Sequence, residues 1–353
     1  MSDAMTAAEP TRAAPPPAGA QREFERLAEP LRRELKVHCY RMLGSVHEAE
    51  DLVQETYLRA WRSFAAFDGA GSFRAWLYRI ATNASLNALE SRKRAQRLLP
   101  DQLGPAAQGM PAGAPAADLP WLEPYPDTDL TAIADEAPTP EARYSSREAV
   151  QLAFIAALQE LPPRQRAALL LCDVLGWAAA EAATLLGGST ASINSALQRS
   201  RASLARRYPA GRPAATEPPD PARQELLARY LEAWEGHDLD GLAALLREDA
   251  AAIMPPWLEW YLGREAIRSF FAQAWKLCGG LRLVPTSANG QPAFAVYEFS
   301  GADGLWHAHS IQVLTLDRGG IARMTLFLEP RLFEAFELPF VLPDAGPAAA
   351  HHT

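Results

Sequence analysis

The sequence has few cysteines and no long hydrophobic run, and both absences exclude classes of protein. Its three cysteines, Cys39, Cys172 and Cys278, lie far apart, so neither a disulfide framework nor a metal-ligand spacing is present. No run of about 18 apolar residues occurs, which argues against a membrane-spanning helix. Residues 1–21 are rich in Ala and Pro and lack a basic segment followed by an apolar one. They predict a disordered tail rather than a signal peptide. We therefore expect a cytoplasmic protein with no metal, no cofactor and no membrane partner.

Charge is distributed unevenly along the chain. The net charge of −8 alone disfavours nucleic acid as a partner. However, Arg74–Arg97 holds six basic residues and one acid, and Ser189–Arg207 holds four arginines and no acid. Between them, Leu98–Ala142 holds eight acids and no base. Two basic segments separated by an acidic one are compatible with nucleic-acid binding, because local charge matters more than the sum.

Two segments rich in Pro and Ala, 100–141 and 208–221, divide the chain. Both are predicted to be linkers, because such a composition buries too little apolar surface to offset chain entropy. They leave three folded blocks and a C-terminal tail, with predicted bounds 22–99, 142–207, 222–342 and 343–353. A multidomain protein follows from this division and from the length of 353 residues.

The first two blocks are predicted to be all-helical. In the first, Ser45 and Glu48 form a capping-box pattern, and a further helix runs from Phe73 towards Arg94. In the second, Pro162-Pro163 suits a helix start. Trp177–Leu186, a Gly turn and Ser189–Arg207 then have helix-turn-helix proportions. The inward stripe of the last helix is predicted to be Ile193, Leu197, Ser200 and Leu204.

The third block is predicted to be an α+β domain. Helical patterns come first, and alternating runs at 281–287, 293–299, 305–316 and 321–328 follow. This order predicts helices on a curved antiparallel sheet. The block also holds five of the nine tryptophans.

Four sequence segments resemble known families. AEDLVQETYLRAWRSF (Ala49–Phe64) and FRAWLYRIATNASLNALESRKR (Phe73–Arg94) resemble the sigma-two domain of extracytoplasmic-function sigma factors. LQELPPRQRAALLLCDVLGWAAAEAATLLGGSTASINSALQRSRASL (Leu158–Leu204) resembles their sigma-four domain, although Ala182 stands where a larger aliphatic residue is usual. WLEWYLGREAIRSFF (Trp257–Phe271) is similar to SnoaL-like domains, which form a cone. The resemblance implies a sigma factor rather than an enzyme, with no catalytic residues.

The resemblance implies two partners, core RNA polymerase through its β′ and β subunits, and promoter DNA. The polymerase contacts are predicted on the helix that matches Ala49–Phe64, where a polar rim surrounds a packed core. Its candidate residues are Asp51, Gln54, Glu55, Arg59 and Arg62; a merely solvated helix face is the alternative.

Promoter contacts are predicted on two helices. The sigma-two helix would hold the −10 element with basic groups for phosphates and with Asn side chains for adenine edges. Its candidates are Arg74, Trp76, Arg79, Asn83, Asn87, Arg92, Lys93 and Arg94, with Trp76 and Tyr78 equally compatible with the core. The sigma-four recognition helix would read the −35 element in the major groove. Its candidates are Asn194, Ser195, Gln198, Arg199 and Arg201, the last on phosphate.

Three alternatives stay open at this point. The acidic linker is either a solvated tether or, as in related factors, a segment that threads towards the polymerase active-site channel. The SnoaL-like block either regulates the sigma domains in cis or acts as an enzyme on a small hydrophobic molecule. A helix-turn-helix regulator with a ligand sensor is a third hypothesis, which the polymerase-binding motif disfavours.

Candidate residues for a small-molecule pocket are Met254, Trp257, Tyr261, Trp275, Trp306, His307 and His309. The apolar tail Arg331–Pro343 is expected to dock on its own cone or on a sigma domain.

Overall fold

Two helical units precede a domain built on a seven-stranded sheet. The computed structural model describes residues 19–67, 69, 71–91, 96–130, 151–207, 220–317 and 319–343. Among these residues, no helix has both the length and the apolar character needed to cross a membrane. No cluster of His, Cys, Asp or Glu suited to a metal ion occurs within the same ranges.

The first unit contains four α-helices. They are α1 (Ala20–Ala28), α2 (Arg32–Leu43), α3 (Val46–Ser63) and α4 (Phe73–Glu90), with a 3-10 turn at Glu29–Leu31 before α2. Ser45 caps α3, because its Oγ accepts a hydrogen bond from the Glu48 amide at 3.2 Å. This confirms Ser45 as the N-cap of the predicted helix.

The second unit has the predicted helix-turn-helix. Its helices are α5 (Leu152–Gln159), α6 (Pro163–Leu169), α7 (Ala179–Leu186) and α8 (Thr190–Arg207), with a π-helical turn at Leu170–Val174. The predicted inward stripe of α8 is buried, which confirms the helical periodicity. Ala182 is fully buried in α7, so the small side chain still packs in the core.

The third unit combines helices with a sheet. Asp220 caps α9 (Pro221–Glu235), and α10 (Leu239–Leu245) and α11 (Arg264–Ala274) follow. The strands are β1 (Leu246–Ile253), β2 (Trp260–Leu262), β3 (Leu281–Ala288), β4 (Gln291–Ser300), β5 (Leu305–Asp317) and β6 (Gly320–Phe327).

The sheet is mixed rather than antiparallel as predicted. Its strand order is β2-β1-β6-β5-β4-β3, and β1 pairs with β6 in parallel. Strand β1, which the sequence did not predict, reads LREDAAAI. Charged residues and alanine are depleted in strands. Its strand conformation therefore depends on its neighbours in the sheet. The inner face of the sheet, with α9 and α11, forms an aromatic and aliphatic cluster that we call the cone cluster, built around Tyr230, Trp234, Phe271 and Phe294.

The predicted linker 100–141 is ordered over its first part, so the prediction of a solvated tether is wrong for residues 100–130. Leu99, Leu122 and Tyr125 are buried in a cluster that also contains residues of both helical units and of the outer face of the sheet. This packing was not predicted, because the composition of a segment indicates only how much apolar surface the segment can bury by itself, not what it buries against other units. The predicted stretch 131–141, the linker 208–219 and the tails 1–18 and 344–353 lie outside the described residues.

The apolar tail packs on the outer face of its own sheet. It forms helix α12 (Leu332–Ala335) and strand β7 (Val341–Leu342), which pairs with β5. Phe333 is fully buried and its ring meets that of Tyr297 edge to face at 5.1 Å. The start of the tail also lies beside the linker, since the Arg331 guanidinium is 3.8 Å from the Glu123 carboxylate, which hydrogen-bonds to the N-terminus of α3. The tail therefore docks on its own domain, and its first residue lies beside the linker glutamate.

Candidate functional site

The exposed face of α3 carries the predicted polymerase contacts. Asp51, Gln54, Glu55 and Arg62 are exposed, and Arg59 is partly exposed and paired with Glu55 at 2.5 Å. The opposite face of α3, including Leu52 and Val53, is buried. The helix thus presents a polar surface that the packing of its own unit leaves free.

Leu58 lies in the middle of this polar surface and was missed by the sequence analysis. Its side chain is 57% exposed, in contrast to the apolar residues of the buried stripe. An apolar residue surrounded by charged ones is the pattern of an interface anchor with a polar rim. Its position outside the buried stripe was the signal that could have identified it.

The exposed face of α4 carries part of the predicted −10 contacts. Arg79, Asn83 and Asn87 are exposed and spaced by four residues, so they lie on one face of the helix. Trp76 is partly buried against Phe67 at 5.1 Å between ring centroids, so part of the ring belongs to the packing of the unit.

Arg74 is held by Glu34 rather than free for phosphate. Its Nε and Nη2 donate to the two carboxylate oxygens at 2.8 and 2.9 Å, and this hydrogen bonding raises the Arg74 pKa. Tyr78, the other ambiguous aromatic residue, is fully buried in the core. Arg92, Lys93 and Arg94 lie outside the described residues.

The outer arc of α8 carries the predicted −35 contacts. Asn194, Ser195, Gln198, Arg199 and Arg201 are all exposed. Arg199 donates to Ser195 Oγ at 2.6 Å. Arg201 forms a two-bond ion pair with Asp173 at 2.6 and 2.9 Å, so a phosphate would have to compete with this carboxylate.

The two helical units pack against each other through a buried arginine. Arg166 of α6 is fully buried and donates to the carbonyl oxygen of Met42 in α2. It also donates to the side-chain oxygen of Gln159 at 2.7 Å. Trp177 adds an edge-to-face contact with Tyr78 of α4 at 6.2 Å. The helix-turn-helix unit is therefore fixed directly against the unit that carries α3 and α4.

A buried glutamate from the linker completes the N-terminus of α3. Glu123 Oε2 accepts from Ser45 Oγ at 2.8 Å, from the Val46 amide at 3.0 Å and from His47 Nδ1 at 3.0 Å. Burial alone would raise the Glu123 pKa, but the His47 hydrogen bond and the Arg97 charge lower it below its usual value. The negative charge also suits the positive end of the helix dipole.

One turn of the sheet domain contacts both helical units. The β3–β4 turn contains Asn289 and Gly290, both with positive φ, of 56° and 68°. Asn289 donates from Nδ2 to the hydroxyl of Tyr40 at 3.0 Å and accepts from the Tyr125 amide at 2.9 Å. Two residues later, Gln291 Oε1 accepts from the Leu152 amide, at the first turn of α5, at 3.2 Å.

The Asn-Gly dipeptide was a visible signal for a hairpin turn. Its contacts with residues about 140 to 250 positions away in sequence have no local signature. The bridging role of Asn289 and Gln291 therefore could not be read from the sequence.

The seven predicted pocket residues do not surround one cavity. Met254, Tyr261 and Trp275 belong to the cone cluster, whereas Trp306 packs with the cluster on the outer face of the sheet. His307 is paired with Asp303 at 2.8 Å, and His309 Nδ1 lies 3.1 Å from Ser310 Oγ. Trp257 is partly exposed in the loop after β1. As a single lining, the predicted set is wrong, because the two faces of the sheet point away from each other.

The sequence matches three family models. Residues 27–95 match Sigma-70 region 2, residues 151–204 match Sigma-70, region 4, and residues 227–324 match the SnoaL-like domain. These ranges correspond to the three folded units.

Known sigma factors resemble the chain over most of its length. It is 44% identical over 320 residues to the ECF RNA polymerase sigma factor SigG of Mycobacterium tuberculosis, covering 90% of this chain and 84% of that protein. It is 31% identical over 222 residues to SigJ of the same organism, covering 63% of this chain and 61% of that protein. The crystal structure of SigJ superposes with a TM-score of 0.55 and 24% identity, over 91% of this chain and 99% of that chain. The shared fold therefore includes the SnoaL-like unit.

Both relatives are ECF RNA polymerase sigma factors. Two sigma-70 domains in series, and a sigma factor that matches nine-tenths of the chain, leave one classification. The chain belongs to the extracytoplasmic-function sigma factors, which recognise promoters and initiate transcription.

Proposed function

We propose that the SnoaL-like unit holds this sigma factor in a closed form, and that core RNA polymerase opens it at the start of promoter recognition. The observation that carries the proposal is a pair of side chains, Asn289 in the β3–β4 turn and Gln291 at the start of β4. Asn289 hydrogen-bonds to Tyr40 in the sigma-two unit, and Gln291 to Leu152 in the sigma-four unit. A sheet domain that contacts both units restrains their separation. We further propose that the protein acts in the cytoplasm, together with polymerase and DNA.

The exposed surface of α3 supports polymerase docking on the closed form. Leu58 with its polar rim is accessible while the two sigma units are packed together. The β′ subunit is the partner that the family resemblance assigns to this helix. Docking there requires no prior opening, so polymerase binding can come first.

Reading both promoter elements does require opening. The −10 and −35 elements are about 25 base pairs apart, or about 85 Å at about 3.4 Å per pair. In the closed form α4 contacts α6, and α6 contacts α8. Packed helix axes lie about 8–10 Å apart, so two such steps span only about 20 Å. The two DNA-reading helices are therefore too close to occupy both elements at once.

Hydrogen bonds to amides at two helix N-termini also support the closed form. Leu152 at the start of α5 and Val46 at the start of α3 each carry an amide outside the helical ladder. The first donates to a side chain of the SnoaL-like unit and the second to a side chain of the linker. Gln291 and Glu123 provide these acceptors. Water can replace them on opening, so the closed form is favoured by a modest free energy that polymerase contacts can exceed.

The experiment is run-off transcription with limiting core polymerase and the full chain carrying Asn289→Gly and Gln291→Ala. Glycine keeps the positive φ at position 289 and removes the bridging side chain. We expect a severalfold rise in transcript at low sigma concentration. Asp303→Asn, in the turn at the other end of β4, is the matched control and should leave the yield unchanged. Equal yields from the bridging variant and the parent would contradict the proposal.

A further inference from the structure

A stretch of the linker lies on the SnoaL-like unit as a bound peptide would. This stretch, GPAAQGMPAGAPA (104–116), is hydrogen-bonded to β2 through the indole nitrogen and the backbone carbonyl of Trp260. The indole Nε1 of Trp260 donates to the Gly104 carbonyl at 2.9 Å, and its backbone carbonyl accepts from the Ala107 amide at 2.7 Å. One main-chain and one side-chain hydrogen bond thus hold the stretch on β2, which is the edge strand of this sheet. Sheet edges are sites at which extended peptides are recognised.

Two further hydrogen bonds hold the rest of the stretch. Tyr261 donates from its hydroxyl to the Gly109 carbonyl at 2.8 Å. The Ala116 amide donates to the Pro256 carbonyl at 2.9 Å. Four bonds to main-chain atoms along 13 residues fix the path of a segment that has no secondary structure of its own.

Met110 is the apolar anchor of the stretch. Its side chain is half-buried and packs against the cone cluster, as does Ala107. The adjoining Tyr261 ring stacks on Phe270 at 4.3 Å within that cluster. Methionine is a flexible apolar side chain that fills irregular gaps, which suits an anchor on an aromatic surface.

The composition of the stretch suits this binding mode. It contains no charged residue, and its three prolines, Pro105, Pro111 and Pro115, restrict the free chain. That restriction reduces the entropy lost on docking. Both flanks are also tied down: Asp101 pairs with Arg323 of β6 at 2.7 Å, and Trp121 Nε1 donates to the Ala116 carbonyl at 2.9 Å.

We propose that the SnoaL-like unit is a receptor for the peptide segment 104–116 of its own chain, with Met110 as anchor. The bound segment acts as a latch. It keeps the linker on the sheet, and with it Glu123, which lies seven residues beyond Ala116 and completes the N-terminus of α3. This latch deepens the proposed closed form and rests on it. The recognised ligand is an uncharged, proline-rich and methionine-anchored peptide.

The test is amide hydrogen exchange of the full chain carrying Met110→Glu. A carboxylate placed against the cone cluster should expel the segment, because burying an unpaired charge is unfavourable. We expect exchange in 104–119 to be at least about tenfold faster than in the parent. The matched control is Gln108→Glu, which adds the same charge to the same loop at an exposed position and should leave the rate unchanged. Equal rates for Met110→Glu and the parent, or equal acceleration by both variants, would overturn the receptor.

A second variant guards against a fold defect. Trp260→Phe keeps a ring in β2 and removes the indole donor to Gly104, so it should accelerate the same amides by about fivefold for one hydrogen bond. Tyr297→Phe removes the hydroxyl that donates to Pro339 elsewhere on the sheet and should not. If Trp260→Phe leaves the amides of 104–119 as slow as in the parent, the docking mode is wrong.

Run-off transcription then separates the latch from the closed form itself. Met110→Glu should raise the yield in the same direction as the bridging variant Asn289→Gly with Gln291→Ala. If the bridging variant raises the yield while Met110→Glu frees the segment without raising it, the latch is wrong and the closed form stands. If neither raises it, the closed form has failed and the latch with it.

Discussion

At the scale of single residues, Glu123 joins the linker to the helix that carries the polymerase surface. Its carboxylate serves Ser45, Val46 and His47 together. Glu123→Gln replaces the carboxylate with an amide, which removes the charge and puts an N–H donor next to the donors of Ser45, Val46 and His47. We therefore expect the free energy of unfolding to fall by about 2 kcal/mol. Chemical denaturation measures this. Glu329→Gln, whose parent side chain is a more exposed partner of Arg331, should change it by less than about 0.5 kcal/mol.

The same junction gives stability a pH dependence. The hydrogen bond from His47 to Glu123 raises the His47 pKa above 6.5, and it lowers the Glu123 pKa despite burial. The His47 contribution is therefore complete below pH 6.5 and is lost as pH rises through the raised pKa. The Glu123 contribution is lost only in acid. Arg97, Arg331 and Glu48 also face this site.

Denaturation between about pH 6 and pH 8 tests this dependence. We expect the parent to lose stability with rising pH, and His47→Gln to flatten the profile over that range. A variant profile as steep as that of the parent would show that the dependence arises from another group.

Arg199 is the residue of α8 best placed to read a base. It is exposed on the outer arc and bonded only lightly, to Ser195, whereas Arg201 is engaged by Asp173. Arg199→Ala should reduce affinity for a cognate −35 duplex by roughly 1–3 kcal/mol and relax preference at one base pair. Arg206→Ala, near the end of the same helix, should weaken all sequences alike and lower the salt slope by about 1. Uniform loss for Arg199→Ala would identify a phosphate contact instead.

At the scale of elements, the exposed face of α3 is the predicted docking surface for core polymerase. Leu58→Ser should weaken binding to core polymerase by about 2 kcal/mol or more, as truncation of an interface anchor does. The fold should not change, since the side chain is already 57% exposed. Leu277→Ser, at a leucine 79% exposed on the SnoaL-like unit, is the control and should bind as the parent does. Competition for core polymerase measures both, and equal binding by all three proteins would remove Leu58 from the interface.

Elements with a strong local pattern were predictable from the sequence. The stripe of α8, the Ser45 cap and four strands of the sheet follow from residue spacing and cap chemistry, which act over a few positions. The packing of the linker was not predictable, because its buried residues Leu122 and Tyr125 pack on partners far away in sequence. Strand β1 failed for the same reason, since its parallel partner β6 begins about 70 residues later.

The candidate site divides in the same way. Exposure of the α3, α4 and α8 faces followed from helical periodicity, so most predicted polymerase and promoter residues lie on free surfaces. Ion pairs such as Arg74 with Glu34 and Arg201 with Asp173 depend on tertiary contacts and were not foreseen. The pocket set failed because the order of strands, not spacing along the chain, decides which face a residue lines.

At the scale of the whole molecule, we propose that the free sigma factor holds its two DNA-reading units packed together. The SnoaL-like turn, the linker and Arg166 each join parts that promoter recognition must separate. Polymerase needs differential affinity for the open form to shift this equilibrium. The closed form leaves its docking surface on α3 exposed, so polymerase can bind before the units part.

The distance between the two sigma units tests this most directly. Labels at Ala65→Cys and Ala205→Cys, both exposed positions, report it by single-molecule energy transfer in a chain with Cys172 and Cys278 changed to serine. Cys39 stays unlabelled, because it is fully buried and burial raises its pKa to about 12. We predict one short distance in the free protein, a mixture in the Asn289→Gly and Gln291→Ala variant, and a long distance on core polymerase. A long distance in the free parent, or a short one kept on transcribing polymerase, would contradict the account.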